Sequence, residues 1–117
     1  MIEIKSAAAD ALANYQDQNA AIDAVWEMTE RGNRLGFSCV KRGEEAARIV
    51  CLSAPDAPLT DALLRATLNA LRAQGIAAAV IDDEDLKKYA ISKGYLASFE
   101  DTCLKIDEFF SKSVCKG

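Results

Sequence analysis

The stretch from Pro58 to Tyr95, PLTDALLRATLNALRAQGIAAAVIDDEDLKKYAISKGY, decides the fold. Leu59 to Gln74 carries an amphipathic helical pattern: Asp61, Arg65, Asn69 and Arg72 fall on one face, and Leu63, Leu64, Leu68 and Leu71 lie within the wide apolar remainder. Gly75 stops it. Ile76 to Ile81 is an unbroken apolar run, as expected of a strand covered on both faces. Asp82 to Lys93 reads as a second helix closed by Gly94-Tyr95. Helix, buried strand, helix is the crossover unit of a mixed α/β domain.

Working outward, Leu35 to Lys41 and Ala47 to Ser53 are two strands of a hairpin around the turn Arg42-Gly43-Glu44-Glu45. Cys39 and Cys51 fall where they could face each other across it. Ala54 to Pro58 is a short rigid connection, with proline near the first helical turn, where a missing N–H costs little. Met1 to Lys5 alternates apolar and charged residues, as a short edge strand would. Ser6 is positioned to cap a helical region over 6–31, one helix or two with a break near Gln16 to Asn19. Its stripe is Leu12, Tyr15, Asn19, Ile22 and Trp26, and Arg31-Gly32-Asn33 supplies C-cap chemistry. Thr102 to Asp107 alternates as a terminal strand, and 111–117 reads as a frayed tail. The expected order is β-α(α)-β-β-α-β-α-β, a single domain over 1–117 with a mixed sheet and helices on both faces.

Composition narrows the chemistry. The chain has 117 residues, half of them hydrophobic and 7% aromatic, and a formal net charge of −4. Its scattered basic residues argue against nucleic acid or an anionic membrane as partner. No apolar run approaches the roughly 18 residues of a membrane span, and no signal-type segment opens the chain, so a cytoplasmic protein is the expectation. The four cysteines are widely spaced, with no metal-type pairing, and are read as reduced thiols. There is no histidine, which removes Ser-His and Cys-His nucleophiles and imidazole–zinc sites. Asp82-Asp83-Glu84-Asp85 follows the buried strand and reads first as a helix cap with favourable dipole charge; Mg²⁺ binding is the lesser reading, and no metal is expected. Phe109-Phe110 reads first as core docking and second as a dimer contact, so a homodimer is the assembly the sequence suggests.

From Ala46 onward the chain resembles the GCN5-related N-acetyltransferase (GNAT) family. Arg48 to Leu52 looks like its strand before the phosphate loop, Leu63 to Ile76 like its pyrophosphate-binding helix and exit, and Leu86 to Tyr95 like its last helix with the closing Gly-aromatic pair. The resemblance implies acyl transfer from acetyl-CoA to an amine, of a small molecule or a peptide. Leu52, Ser53, Leu59 and Thr60 would hold the cofactor and Tyr89 would be the acid. Two departures stand out. The segment matching the phosphate loop, Ser53 to Asp61, has no glycine but two prolines and two aspartates, Asp56 and Asp61, which look like caps for the helix dipole. Ala90 occupies the usual tyrosine position, leaving Tyr89 about 100° around the helix. A second reading, from a different class, is a non-catalytic domain of this fold that acts by self-association or by binding protein through a sheet edge or the Phe109-Phe110 end.

Overall fold

The fold comes from a computed structural model, which describes residues 1–8, 12, 15 and 22–115, the last four by backbone alone. Strands β1 (Ile2–Ser6), β2 (Ala24–Glu30), β3 (Asn33–Arg42) and β4 (Ala46–Ser53) lead to helix α1 (Ala57–Ala73). Strand β5 (Ala78–Ile81), helix α2 (Glu84–Ser92), strand β6 (Cys103–Lys105) and helix α3 (Ile106–Cys115) follow. The six strands form one sheet in the order of the chain, antiparallel throughout except for the parallel pair β4–β5 that brackets α1.

The expected crossover is present, with boundaries set by capping. The Asp56 carboxylate accepts the Leu59 N–H at 2.9 Å and starts α1, with Pro58 in the first turn. Both α1 and α2 end in the same way. Gly75 (φ 86°) and Gly94 (φ 78°) take the left-handed position that glycine adopts without a Cβ penalty. The N–H groups of Gly75 and Ile76 return to Arg72 and Leu71, and those of Gly94 and Tyr95 to Ile91 and Ala90. This pattern satisfies carbonyls that a helix end would otherwise orphan. Leu63, Leu64, Leu68 and Leu71 of α1 are fully buried against Trp26, Met28, Val40, Ala47 and Ile49. Each is worth about 1.5–3 kcal/mol relative to exposure. Within this apolar layer Ser38 Oγ and Thr67 Oγ1 lie 2.7 Å apart, both fully buried, and Thr67 also donates to the Leu63 carbonyl at 2.8 Å.

Three expectations are corrected. Residues 24–30 form strand β2 rather than the end of a helix, and Ser6 lies in β1 instead of capping one. Trp26 and Met28 face the main core, while Val25 turns to a second cluster with Tyr15, Ile22 and Cys39. That is a period of two, not 3.6. Arg31 (φ 54°) and Gly32 (φ 82°) are the two-residue turn between Glu30 and Asn33, a hairpin geometry that needs positive φ at both positions. The same glycine that can end a helix thus closes a hairpin. Whether one helix or two precede β2 concerns 9–11, 13–14 and 16–21, outside the described residues. At the other end, the strand stops at Lys105 and Ile106 opens α3, which continues through Cys115 where a tail was expected. Phe109 and Phe110 therefore sit on a helix, with Phe109 buried.

Cys39 and Cys51 are indeed cross-strand partners. Beside them the register jumps: Val40 faces Ile49, leaving Val50 as an extra residue on β4. Close by, β3 and β4 approach so tightly that a Cβ on Gly36 would meet the Ser53 carbonyl oxygen at 2.3 Å.

Candidate functional site

The bulge at Val50 and the short β5 together shape the corner where β4, α1 and α2 meet. Asp82 N–H bonds the Ile49 carbonyl at 3.0 Å, the last rung of the parallel ladder, and β4 runs on to Ser53 beyond the end of β5. A bulge reverses which way the following amides point. The Leu52 N–H, freed from a ladder partner, is taken by Asp83 Oδ2 at 3.1 Å. The other oxygen of the same carboxylate caps α2 on the Leu86 N–H at 2.9 Å. Asp82 pairs with Arg48 at 2.9 Å. The acidic run thus behaves as a cap, and among the described residues no acidic cluster is arranged to hold a metal.

The start of α1 is closed in the same way. Asp56 takes the Leu59 N–H through its side chain and the Thr60 N–H and hydroxyl through its carbonyl, at 2.9 and 2.8 Å. Pro55 and Pro58 have no N–H to offer. A diphosphate at a helix N-terminus needs free amides and no competing negative charge. This donor set fits the diphosphate of coenzyme A poorly, because the Leu52 and Leu59 amides serve the carboxylates of Asp83 and Asp56, and the Thr60 N–H is already the first rung of the helix.

Tyr89 lies on a separate groove of about 500 Å³ lined by Ala57, Pro58, Asp61, Arg65, Tyr89, Lys93 and Tyr95. Leu52, Ser53, Leu59 and Thr60 do not line it, so the acid and the cofactor contacts expected from the sequence are not brought into one lining. The hub is Asp61. It does not cap α1; its Oδ1 accepts the Tyr89 hydroxyl at 2.9 Å and the Tyr95 hydroxyl at 2.7 Å, and its Oδ2 accepts Arg65 Nε at 2.5 Å. Arg65 also donates to the Tyr95 oxygen at 3.1 Å. Partial burial opposes ionisation of Asp61, but the hydrogen bonds from Arg65, Tyr95 and Tyr89 outweigh it and hold the carboxyl below its usual range. Burial, and then the bond to the Asp61 carboxylate, pushes the Tyr89 phenol well above its usual value, and Tyr95 moves the same way. A phenol so placed is a weak acid whose proton is already committed. Ala90, at the family's tyrosine position, is fully buried.

The Asp61–Arg65 pair could be read from its i, i+4 spacing. Its two tyrosine partners, 28 and 34 residues downstream, carry no sequence signal. A second missed cluster joins Tyr15 to Glu27 at 2.5 Å and to Arg34 at 2.6 Å, with the Arg34 guanidinium 5.0 Å from the Phe37 ring centre. It ties Tyr15 to β2 and β3.

No family model and no curated protein sequence matches the chain. Solved structures do. The ribosomal-protein-S18-alanine N-acetyltransferase of Escherichia coli superposes with a TM-score of 0.63 at 16% identity, over 91% of this chain and 94% of that one. A protein assigned to the GNAT acetyltransferases from Desulfovibrio desulfuricans gives 0.56 at 13% identity, over 69% and 72%. N-acetylglutamate synthase from Neisseria gonorrhoeae, solved with coenzyme A and N-acetylglutamate, gives 0.51 at 16%, over 69% of this chain and 25% of that larger one. At such identities the likeness speaks for architecture: the chain has the GNAT, or acyl-CoA N-acyltransferase, fold.

Proposed function

We propose that this chain is a GNAT-fold binding domain that keeps the acyltransferase architecture without its grip on coenzyme A, and that it acts by association with protein, its own copies included. One observation carries the reading: at the β4–α1–α2 corner the Asp83 carboxylate holds the Leu52 N–H and the Asp56 carboxylate holds the Leu59 N–H. Amides that could receive an anionic cofactor are spent within the chain, and the carboxylates that spend them would repel one.

The second reading is acetyl-CoA-dependent N-acyl transfer to an amine. It is favoured by the gap beside β4 beyond the end of β5 at Ile81, and by likeness to a synthase whose structure contains coenzyme A. On that reading Tyr89 is the acid, and Leu52, Ser53, Leu59 and Thr60 contact the cofactor once Asp83 lets go of the Leu52 amide and Asp56 of the Leu59 amide.

Thermal unfolding with coenzyme A or acetyl-CoA separates the two. A ligand present at about 100 times its dissociation constant adds about 2.7 kcal/mol, or several degrees for a domain of this size. The binding-domain reading expects no shift with millimolar ligand. A clear shift with both ligands overturns it and makes Tyr89→Phe the next variant.

A further inference from the structure

The two edges of the sheet are β1 and β6. β6 has three residues and passes straight into α3, whereas β1 has five and, among the described residues, nothing pairs with its outer side. The Ala7 N–H bonds the Val25 carbonyl at 2.7 Å, in register with Lys5 opposite Glu27 and Glu3 opposite Thr29. In an antiparallel pair, hydrogen-bonded and non-bonded positions alternate. Glu3, Lys5 and Ala7 therefore spend their amides on β2, and Ile2, Ile4 and Ser6 turn N–H and C=O outward.

We infer that β1 pairs with β1 of a second copy, antiparallel about a two-fold axis at Ile4, joining the two six-stranded sheets into one. In this register Ile4 faces its own copy, Ile2 faces Ser6, and each of these pairs exchanges two backbone hydrogen bonds. The intervening position sets Glu3 opposite Lys5 of the second copy, and by symmetry Lys5 opposite Glu3. These non-bonded pairs hold the closer side chains. Shifting the axis to Glu3 or to Lys5 would oppose like charges directly, which is destabilising. Registers between these set an outward amide against one already committed to β2. Axes at Ile2 or Ser6 would pair only the end of the strand, so its length and the charge pattern Glu3-Ile4-Lys5 together select the axis at Ile4. Both charged side chains are available for it: they are 54% and 73% exposed, and their contact within the chain is a loose 3.6 Å. The occupant is a second copy because the strand is complementary to itself.

The pairing does not involve the cofactor corner, so it stands or falls independently of the thermal-shift result. It is tested by sedimentation equilibrium of the full chain and three variants. A five-residue strand buries less than a standard interface, so a dissociation constant of about micromolar to tens of micromolar is expected. Lys5→Glu and Glu3→Lys each oppose like charges at two symmetry-related positions and should weaken the dimer about tenfold or more. The double variant Glu3→Lys/Lys5→Glu restores opposite charges and should dimerise as the wild type does. Glu27, which faces Lys5 within the sheet, sees the same change in Lys5→Glu and in the double variant, so it cancels between them. Because Lys5→Glu and the double variant share the like-charge contact with Glu27, their unfolding midpoints should fall together, and only their dimerisation should differ. A wild type that is monomeric at about 500 µM, a Lys5→Glu variant that dimerises undiminished, or a folded double variant that stays monomeric would each overturn the inference.

Discussion

Leu52 gives its backbone N–H to the Asp83 carboxylate at 3.1 Å, beyond the point where β5 has ended at Ile81. One side chain thereby closes a gap in the sheet and starts a helix. Asp83→Ala should therefore cost more than an ordinary cap. Loss of the cap is worth about 0.5–2 kcal/mol, and leaving the Leu52 amide unpaired adds about 1–3 kcal/mol. Asp56→Ala removes only a cap, at about 1 kcal/mol. Urea unfolding of the two variants should rank Asp83→Ala clearly below Asp56→Ala, and equal losses would mean that the Leu52 bond contributes nothing.

Asp61 links stability to acid. Its carboxyl is held below its usual range in the folded state, so the unfolded chain binds the proton more readily. The associated stabilisation is complete above the unfolded value of about 3.9 and is lost as pH falls through the lower folded value. Asp61→Asn should flatten the acid limb of a stability–pH profile while leaving its shape near neutrality unchanged. An acid limb identical to wild type would remove Asp61 from the account.

The phenols act at the other end of the scale. Tyr89 and Tyr95 ionise less readily when folded, so their contribution is complete below the unfolded value of about 10 and fades as pH rises toward the folded values. Absorbance titration near 295 nm should show phenolate appearing later in the wild type than in Asp61→Asn. Coincident titrations would mean that the carboxylate does not hold the phenol protons.

The buried Ser38–Thr67 pair should be non-additive. Thr67→Val strands the Ser38 hydroxyl in an apolar layer, at about 1–3 kcal/mol. Ser38→Ala/Thr67→Val removes both polar groups and should recover part of that loss, a coupling that chemical denaturation of the four proteins in the cycle would measure.

Gly36 should tolerate no side chain. A Cβ there would lie 2.3 Å from the Ser53 oxygen, and relief requires moving the β3 or β4 backbone. Gly36→Ala is expected to lower stability by at least the 1–3 kcal/mol typical of overpacking, roughly. A melting temperature equal to wild type would show that the strands can part without cost.

The crossover was legible because each signal in it had one meaning. Four leucines on the 3.6 period, a glycine stop and an apolar run followed by aspartates all pointed to the same elements, which the caps at Asp56, Asp83, Gly75 and Gly94 realise. Residues 24–30 failed because Trp26 completes a helical stripe with Ile22 as readily as it alternates with Val25, and Arg31-Gly32 suits a helix end and a hairpin alike. The bulge at Val50 has no local signature. It arises from how β3 and β4 register, and that register decides which β4 amide reaches Asp83. Asp61 could be paired with Arg65 by spacing alone, but its tyrosines arrive only once α2 has packed beside α1.

The strand order has a kinetic consequence. Every hydrogen-bonded pair in the sheet is consecutive along the chain, and the tight hairpins β2–β3 and β3–β4 can close locally without waiting for distant segments. The parallel β4–β5 pair must wait for α1 to form and fold back across the sheet. Folding should therefore divide there: β1 to β4 assemble as one antiparallel block, β5 to α3 as another, and the leucines of α1 set the rate at which the two halves join.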